Sequence, residues 1–203
     1  MSNADVKASP KEAAMEEDAH ETSGVLEFLK AVAIALALAL FIRTFMFQPF
    51  KIPSESMVPT LLVGDHLLVN KMVYLLNDPE RGDIVVFRPP HEPDKDFVKR
   101  IIGLPGETIL LRNNVVHVDG KAIDEPWAIY ESHHGYPGMG DFGPVRVPEG
   151  KLFMMGDNRH NSQDSRVWGF LDKSAIHGKA FIIHWSWTGH GVGVRFNRVG
   201  KLL

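Results

Sequence analysis

The sequence predicts a mainly β protein preceded by one transmembrane helix. Three observations lead to this fold class. An apolar run covers residues 25–47, and short β-branched runs separated by glycine and proline fill most of the chain beyond residue 48. No helical periodicity of comparable strength follows the apolar run. Short β-branched runs bounded by turn residues are typical of strands joined by tight connections.

The composition excludes several classes of protein. The 203 residues carry a formal net charge of −3, and the sequence pI is near 6.4, so a nucleic acid is not the expected partner. The chain contains no cysteine, which rules out disulfides, a thiolate nucleophile and a cysteine-ligated metal site.

Residues 1–24 predict a disordered acidic tail. Six acidic residues stand against two lysines there, and large apolar side chains are few. Such a segment cannot bury a core of its own.

The apolar run of residues 25–47 predicts an uncleaved transmembrane helix. As a helix it spans roughly 34 Å, enough to cross a hydrocarbon layer of about 30 Å, and Lys30 and Arg43 can reach the interfaces. A buried core helix and a cleaved signal peptide are the alternatives. The positive region that begins a signal peptide is missing, and the small-residue spacing of Ala35–Ala39 lies inside the run. The flanking charges do not set the orientation, because both ends of the run carry basic residues: Lys30 at one end, and Arg43 and Lys51 at the other.

Seven strands are predicted beyond the anchor, each next to turn residues. They are His66–Val69, Ile84–Phe87, Phe97–Ile102, Ile109–Leu111, Val115–Val118, Leu152–Met155 and Ala180–Trp187. Residues 130–148, rich in Gly and Pro, predict a long surface loop. The basic residues of the segment 191–203 predict a solvated tail, with contact to anionic lipid headgroups as the alternative.

Two serines, Ser54 and Ser56, lie between Pro53 and Pro59 just after the anchor. Proline fixes its own φ and biases the preceding residue toward extended geometry, so the serines stand on a stiffened chain. A linker with turn-forming serines is the alternative. As a nucleophile Ser56 would need a base, and the sequence has neither a Gly-x-Ser-x-Gly elbow nor a histidine in a recognisable triad context.

Lys99 is the candidate base. It lies in a predicted strand with apolar neighbours on both sides, and on a buried face desolvation would lower its pKa by several units. A shift from about 10.4 to about 7 costs roughly 4–5 kcal/mol of stability, which a protein tolerates mostly where a neutral amine has a role. An exposed lysine on an edge strand is the alternative. The adjacent His133 and His134 lack metal-ligand spacing and are expected at the surface.

A third constellation is the polar stretch Gly156–Arg166, which follows an apolar strand. It contains two Asp–Arg combinations together with amide and hydroxyl side chains. This density of hydrogen-bonding groups suits a scaffold beside a site. An ordinary surface loop is the alternative.

Together these stretches resemble the boxes of type I signal peptidases, the membrane-anchored Ser/Lys endopeptidases that remove signal peptides. Residues 53–60 resemble the nucleophile box, residues 98–106 the lysine box and residues 156–166 the late box. The three boxes occur in the family's order behind an anchor, and the likeness runs from about Val25 to Trp187.

The resemblance implies catalytic roles for three residues. Ser56 would be the nucleophile and Lys99 the general base. Ser54 would add its hydroxyl to the Ser56 backbone N–H in the oxyanion hole, matching the charge that develops on the carbonyl oxygen. No cofactor and no metal ion are implied.

The late box would support this dyad. Ser162 would orient the Lys99 amine, and Asp164 and Arg166 would form a salt bridge. His160 departs from the family, which usually has Asp or Asn at this place; it lies outside the proposed dyad and bears on local loop contacts.

The resemblance also implies a binding mode for the substrate. A signal peptide would lie as an extended strand between residues 48–52 and residues 96–98, with small residues at the first and third positions before the cut. The side chains expected to contact it are those of Gln48, Phe50, Ile52, Met57, Phe97 and Val98.

The family architecture implies an antiparallel β catalytic core over residues 48–106 and 149–190, with a small accessory β insertion over residues 107–148. The acidic tail would lie in the cytoplasm, the single helix in the inner membrane, and the catalytic domain on the outer, periplasmic side. Three alternatives stay open at this point: a Ser/His relative, a processing peptidase dedicated to a pilus or conjugation precursor, and an inactive membrane-anchored module that binds extended peptides.

Overall fold

The computed structural model describes residues 10–92, 94–130, 140–189 and 193–203. The chain divides into two compact units, of which the first ends at Thr44 and the second covers Phe45–Leu203. The predicted surface histidines His133 and His134 lie outside the described residues.

The described part of the first unit is helical. Helix α1 covers Pro10–Phe41 and passes into a π-helical segment over Ile42–Met46. Within them, Gly24–Met46 is long and apolar enough to cross a membrane, with a mean hydropathy of 2.4 and no part of it buried. The expectation of disorder up to residue 24 is wrong for residues 10–24, because α1 already begins at Pro10. Proline is favoured in the first turn of a helix, and the Ala, Glu and Lys residues that follow are strong helix formers.

The second unit is mainly β, which confirms the predicted fold class. Its strands are β1 (Phe47–Lys51), β2 (Asp65–Asn70), β3 (Ile84–Phe87), β4 (Phe97–Gly103), β5 (Thr108–Arg112), β6 (Val115–Val118), β7 (Lys121–Ala122), β8 (Phe142–Arg146), β9 (Lys151–Met155), β10 (Leu171–Asp172) and β11 (Ile176–Ser186). Two four-residue helices, α2 (Val73–Leu76) and α3 (Ser165–Trp168), interrupt them. Short 3₁₀ turns cover Lys173–Ala175 and Phe196–Arg198.

The strands form two antiparallel sheets in the described part of the chain. The larger has seven strands in the order β1-β2-β11-β3-β4-β9-β10, and the smaller has four in the order β7-β6-β5-β8. All seven strands expected from the sequence are present. Four others were missed, and two of these, β1 and β8, contain Pro49 and Pro144. Both lie at sheet edges, where the missing N–H of proline is tolerated. Because β8 lies within residues 130–148, the expectation of one loop over that whole segment is wrong.

One strand of the larger sheet has a partly open edge. β4 pairs with β3 from Phe97 to Arg100, whereas its pairing with β9 begins only at Arg100. The first three residues of β4 therefore have a paired strand on one side alone. This opening adjoins the segment that carries Ser56.

The C-terminal residues 193–203 are part of the fold, which corrects the expectation of a solvated tail. Leu202 bridges to Ile182 of β11, and Leu203 packs against the core. The Arg198 guanidinium contacts Asp65, whose carboxylate is fully buried, at 2.5 Å. Burial alone would raise the pKa of Asp65, but hydrogen bonds from Arg198, from the Leu62 N–H and from Ser186 hold that pKa below its usual value.

We expect Arg198→Met to lower the free energy of unfolding by about 3–5 kcal/mol, because it leaves the buried Asp65 without its main cation. The matched control is Arg112→Met, which removes a well-exposed pair with Asp141 and should cost less than about 1 kcal/mol. Chemical denaturation of the detergent-solubilised chain measures both. Equal, small losses in the two variants would contradict the structural role of the C-terminal segment.

Candidate active site

Ser56 stands on a turn that is fixed at both ends. At its base the Ile52 N–H donates to the Asp65 carbonyl (2.8 Å), and the Gly64 N–H donates back to the Ile52 carbonyl (3.0 Å). Directly after Ser56 the side chain of Met57 is buried in the core together with that of Leu61. The linker interpretation of this stretch is therefore wrong.

Lys99 meets Ser56 inside the protein. The side chain comes from β4 and is buried, being 4% exposed, and its Nζ lies 2.6 Å from Ser56 Oγ. The alternative of an exposed lysine is wrong, because the Lys99 side chain is buried against the Ser56 turn, although its backbone lies on the open edge of β4. Two residues that are 43 positions apart in the sequence are thus in direct contact.

Burial lowers the pKa of Lys99 from its ordinary value to about 8. The charges of Asp164 and Asp157 act in the opposite direction, and that of Arg166 lowers the pKa further. Desolvation, which penalises the charged form of the amine, is the largest of these effects and outweighs the attraction of the carboxylates. A substantial fraction of the Lys99 amine is therefore neutral at mildly alkaline pH, and a neutral amine can accept the proton of a serine hydroxyl.

The loop after β9 forms hydrogen bonds to the segment that carries Ser56. The Asn158 N–H donates to the Ser56 carbonyl (3.1 Å), and Asn158 Nδ2 donates to the Glu55 carbonyl (3.2 Å). Asn161 Nδ2 donates to the Glu55 carboxylate at 3.3 Å. The backbone around Ser56 is therefore held by a loop from a distant part of the chain.

Gly156 allows this loop to approach so closely. A Cβ atom at this position would collide with the side chain of Ser162 and with the carbonyl oxygen of Ser56. The Gly156 N–H also donates to Asp164 at 3.0 Å. Ser162 is fully buried, and its hydroxyl has no hydrogen-bond partner among the described residues.

Three buried Arg–carboxylate pairs each include a residue of the loop 156–166. Each is bidentate, with N–O distances of 2.7–2.8 Å. The pairs are Arg166–Asp164, Arg100–Asp157 and Arg159–Glu125. The sequence predicted only the first of them. Asp157 and Arg159 stand close together in the loop, but each binds a residue outside it, and adjacency in sequence gives no sign of such long-range partners.

A cleft with a volume of about 430 Å³ opens beside Ser56 and Lys99. Of the side chains expected to contact substrate, Phe50, Ile52, Met57, Phe97 and Val98 line it, together with the predicted Ser54. Gln48 does not line the cleft and lies on β1 opposite Val69. Asp96, in the expected binding segment 96–98, also lines it. The sequence missed five further lining residues: Pro53, Glu55, Lys95, Asn161 and Gln163.

The oxyanion-hole candidate Ser54 lies beside Ser56, with the two hydroxyl oxygens 3.4 Å apart. None of the histidines in the described ranges lines the cleft. His160 packs edge-on against Tyr130, with ring centroids 5.7 Å apart. The arrangement supports serine–amine chemistry and gives no support to the Ser/His alternative.

The family model "Signal peptidase, peptidase S26" matches residues 25–185. The chain belongs to this family. "Probable signal peptidase I-1" of Synechocystis sp. is 42% identical over 163 residues, covering 77% of this chain and 80% of that protein. "Signal peptidase I S" of Bacillus subtilis is 42% identical over 168 residues, covering 80% and 90%. A solved signal peptidase I from Enterococcus faecalis is 30% identical, with a TM-score of 0.43, over 51% of this chain and 97% of that one.

Membership of the family makes this S26 peptidase a serine endopeptidase. The inactive peptide-binding module left open by the sequence is thereby excluded.

We expect Gly156→Ala to lower kcat by about 100-fold or more, because its methyl group displaces the Ser56 backbone or Ser162, and a misplacement of about 1 Å has an effect of this size. The control is Gly140→Ala, where a Cβ would meet nothing within 4 Å. Peptide-cleavage rates measure the effect, with circular dichroism to verify folding. Equal rates in the two variants would show that the close approach at Gly156 is unimportant.

Proposed function

We propose that this peptidase is anchored in a membrane and removes N-terminal signal peptides, with Ser56 as nucleophile and Lys99 as general base. The observation that carries the proposal is the 2.6 Å contact between a buried amine and a serine hydroxyl beside a cleft. The names of the relatives, signal peptidase I, support the substrate class.

The reaction begins when the neutral Lys99 amine removes the proton of Ser56 as Oγ attacks the scissile carbonyl carbon. The tetrahedral intermediate collapses as the protonated amine gives that proton to the departing peptide nitrogen, and an acyl-enzyme remains on Ser56. Lys99 then takes a proton from water, whose oxygen attacks the ester carbonyl carbon. The second tetrahedral intermediate breaks its bond to Ser56 Oγ, Lys99 returns the proton to that oxygen, and the signal peptide leaves with a free carboxyl group. No other base is needed, because the same amine alternates between its two protonation states.

Ser54 and the Ser56 backbone N–H form the oxyanion hole in this proposal. The 3.4 Å separation of the two hydroxyl oxygens supports it, because a donor must stand near the position of the developing charge. Ser162 orients the Lys99 amine. Its hydroxyl is buried and has no hydrogen-bond partner among the described residues, which leaves it available to the amine and supports that role. The Asp164–Arg166 pair holds the loop through its bond to the Gly156 N–H.

The substrate binds as an added strand along the open edge of β4. Residues 97–99 lack a second strand neighbour there, and their edge borders the cleft. A peptide that donates and accepts backbone hydrogen bonds in this position is recognised by β-augmentation. Phe50, Ile52, Met57, Phe97 and Val98 supply apolar walls close to Ser56, which favours small side chains at the first and third positions before the cut.

The anchor is the single candidate span in the described residues, Gly24–Met46. The acidic tail lies in the cytoplasm, the span in the cytoplasmic membrane, and the catalytic unit on its outer side. Ser56 follows Phe47 by nine residues, so even an extended chain keeps it within about 30 Å of the membrane surface. A signal peptide held in lipid presents its cleavage site at this height.

The test is the cleavage of a secretory precursor by the detergent-solubilised chain. Ser56→Ala and Lys99→Ala should each abolish it while circular dichroism stays unchanged. The matched control is Lys95→Ala, because Lys95 also lines the cleft but its side chain is 70% exposed. Full activity of Lys99→Ala would exclude the dyad, and cleavage of only one dedicated precursor would indicate the specialised processing enzyme.

The pH dependence tests the base independently. Only the neutral amine is active, so kcat/KM should rise about tenfold per pH unit below the pKa and level off above about pH 8. A rise in kcat/KM centred near pH 6.5, the ordinary pKa of histidine, would instead indicate an imidazole base.

A further inference from the structure

The two ends of the cleft carry different polar groups. One end lies where the open edge of β4 begins and is lined by Lys95 and Asp96. The other end is lined by three residues of the Ser56 turn and of the loop after β9: Glu55, Asn161 and Gln163. Asp96 precedes Lys99 by three residues of extended chain, which is about 10 Å. A peptide bound along the cleft therefore meets different charges before and after its cleaved bond.

The sheet determines which end receives the chain after the cut. The proposed substrate strand runs along residues 97–99, and from Arg100 onward β9 covers the same edge of β4. Lys99 stands at this covered end and contacts Ser56, so the cleaved bond lies there. In the proposed binding mode, residues before the cut occupy the rest of the open edge. Residues after the cut therefore leave past Ser56 and the loop 156–166.

The carboxylate of Glu55 stands at this exit. Glu55 directly precedes Ser56, and its side chain is exposed. The carboxylate accepts a hydrogen bond from Asn161 Nδ2 at 3.3 Å, which holds it at the rim of the cleft. None of the ion pairs within the described part of the chain includes Glu55. Its negative charge is therefore open to the peptide that leaves the cleft.

The carboxylate at the opposite end differs in this respect. Asp96 Oδ1 lies 3.5 Å from Arg88 Nε and 3.4 Å from His177 Nδ1. Arg88 offsets the charge of Asp96, and His177 adds to this effect when it is protonated. The two carboxylates that line the cleft are thus unequal, and the one without an ion pair lies on the side of the departing chain.

We propose that Glu55 selects substrates by the charge of the first two residues after the cut. Precursors with Lys or Arg there are cleaved faster than precursors with Asp or Glu. The carboxylate of the residue next to Ser56 reaches only this far, because each residue of the leaving chain advances by about 3.3 Å. The inference rests on the proposed function and adds a determinant of specificity on the side of the cut that the apolar walls do not contact.

The test uses peptides that share one cleavage site and differ only after the cut, where Lys, Gln or Glu occupies the first or the second position. The detergent-solubilised full chain cleaves each peptide, and kcat/KM is measured. The Lys peptide should exceed the Glu peptide by about three- to tenfold, the size expected for contacts between exposed charges. Because this ratio is taken within one protein, differences in the folded fraction between variants cancel.

Two variants locate the effect. Glu55→Gln removes the charge but keeps an oxygen that can accept the Asn161 hydrogen bond, so its ratio should fall close to one. Asp96→Asn removes a carboxylate at the opposite end of the same cleft, and its ratio should stay that of the unmodified chain. Raising the salt concentration from 0.05 M to 0.5 M should lower the ratio of the unmodified chain and leave that of Glu55→Gln unchanged, because salt screens exposed charges.

The outcomes distinguish this inference from the proposed function. Equal rates for the Lys and Glu peptides, or an unchanged ratio in Glu55→Gln, would overturn the charge selection while cleavage itself still supports the peptidase. An equal fall of the ratio in Asp96→Asn would show a general effect of net charge and would also overturn it. Cleavage of none of the peptides by the unmodified chain would contradict the proposed function, and the inference with it.

Discussion

The contact between the Lys99 amine and the Ser56 hydroxyl is the constraint on which the catalytic unit depends. Lowering the pKa of Lys99 from 10.5 to about 8 costs about 3 kcal/mol of stability below pH 8. This cost falls as the pH rises toward 10.5, because the unfolded chain then also loses its proton. The fold must therefore supply this free energy elsewhere, through the buried faces of β3 and β4 and the core beneath the Ser56 turn.

Paired carboxylates make the low pKa possible. Asp157 and Asp164 lie near enough to raise the pKa of Lys99, and as unpaired carboxylates they would do so more strongly. Each is bound instead by its own guanidinium, Arg100 or Arg166. Arg159 extends the arrangement to Glu125, which lies between β7 and β8, and Arg159 Nε also donates to the Gly156 carbonyl. The segment around Glu125 thus helps to position the loop 156–166, which is hydrogen-bonded to the Ser56 backbone.

The sequence predicted the parts of this site better than their connections. Strands with β-branched runs were found because alternation and turn residues are local signals, and Ser56 and Lys99 were found because each stands in a distinctive stretch. β1 and β8 were missed because an internal proline normally argues against a strand, and only the sheet order shows that both are edges. Three buried contacts join residues far apart in the chain: Arg100–Asp157, Arg159–Glu125 and Arg198–Asp65. Local patterns carry no information about such partners.

The central claim is that the fold lowers the pKa of Lys99 to about 8 and holds the amine within reach of Ser56, and the titration of that one side chain tests it most directly. Carbon-13-labelled lysine in the full chain reports each amine by NMR, and the Lys99 signal is assigned by its absence from Lys99→Met. The account predicts that the Lys99 signal titrates near pH 8. A Lys99 signal that titrates near pH 10.4, the pKa of an unperturbed lysine, would contradict it.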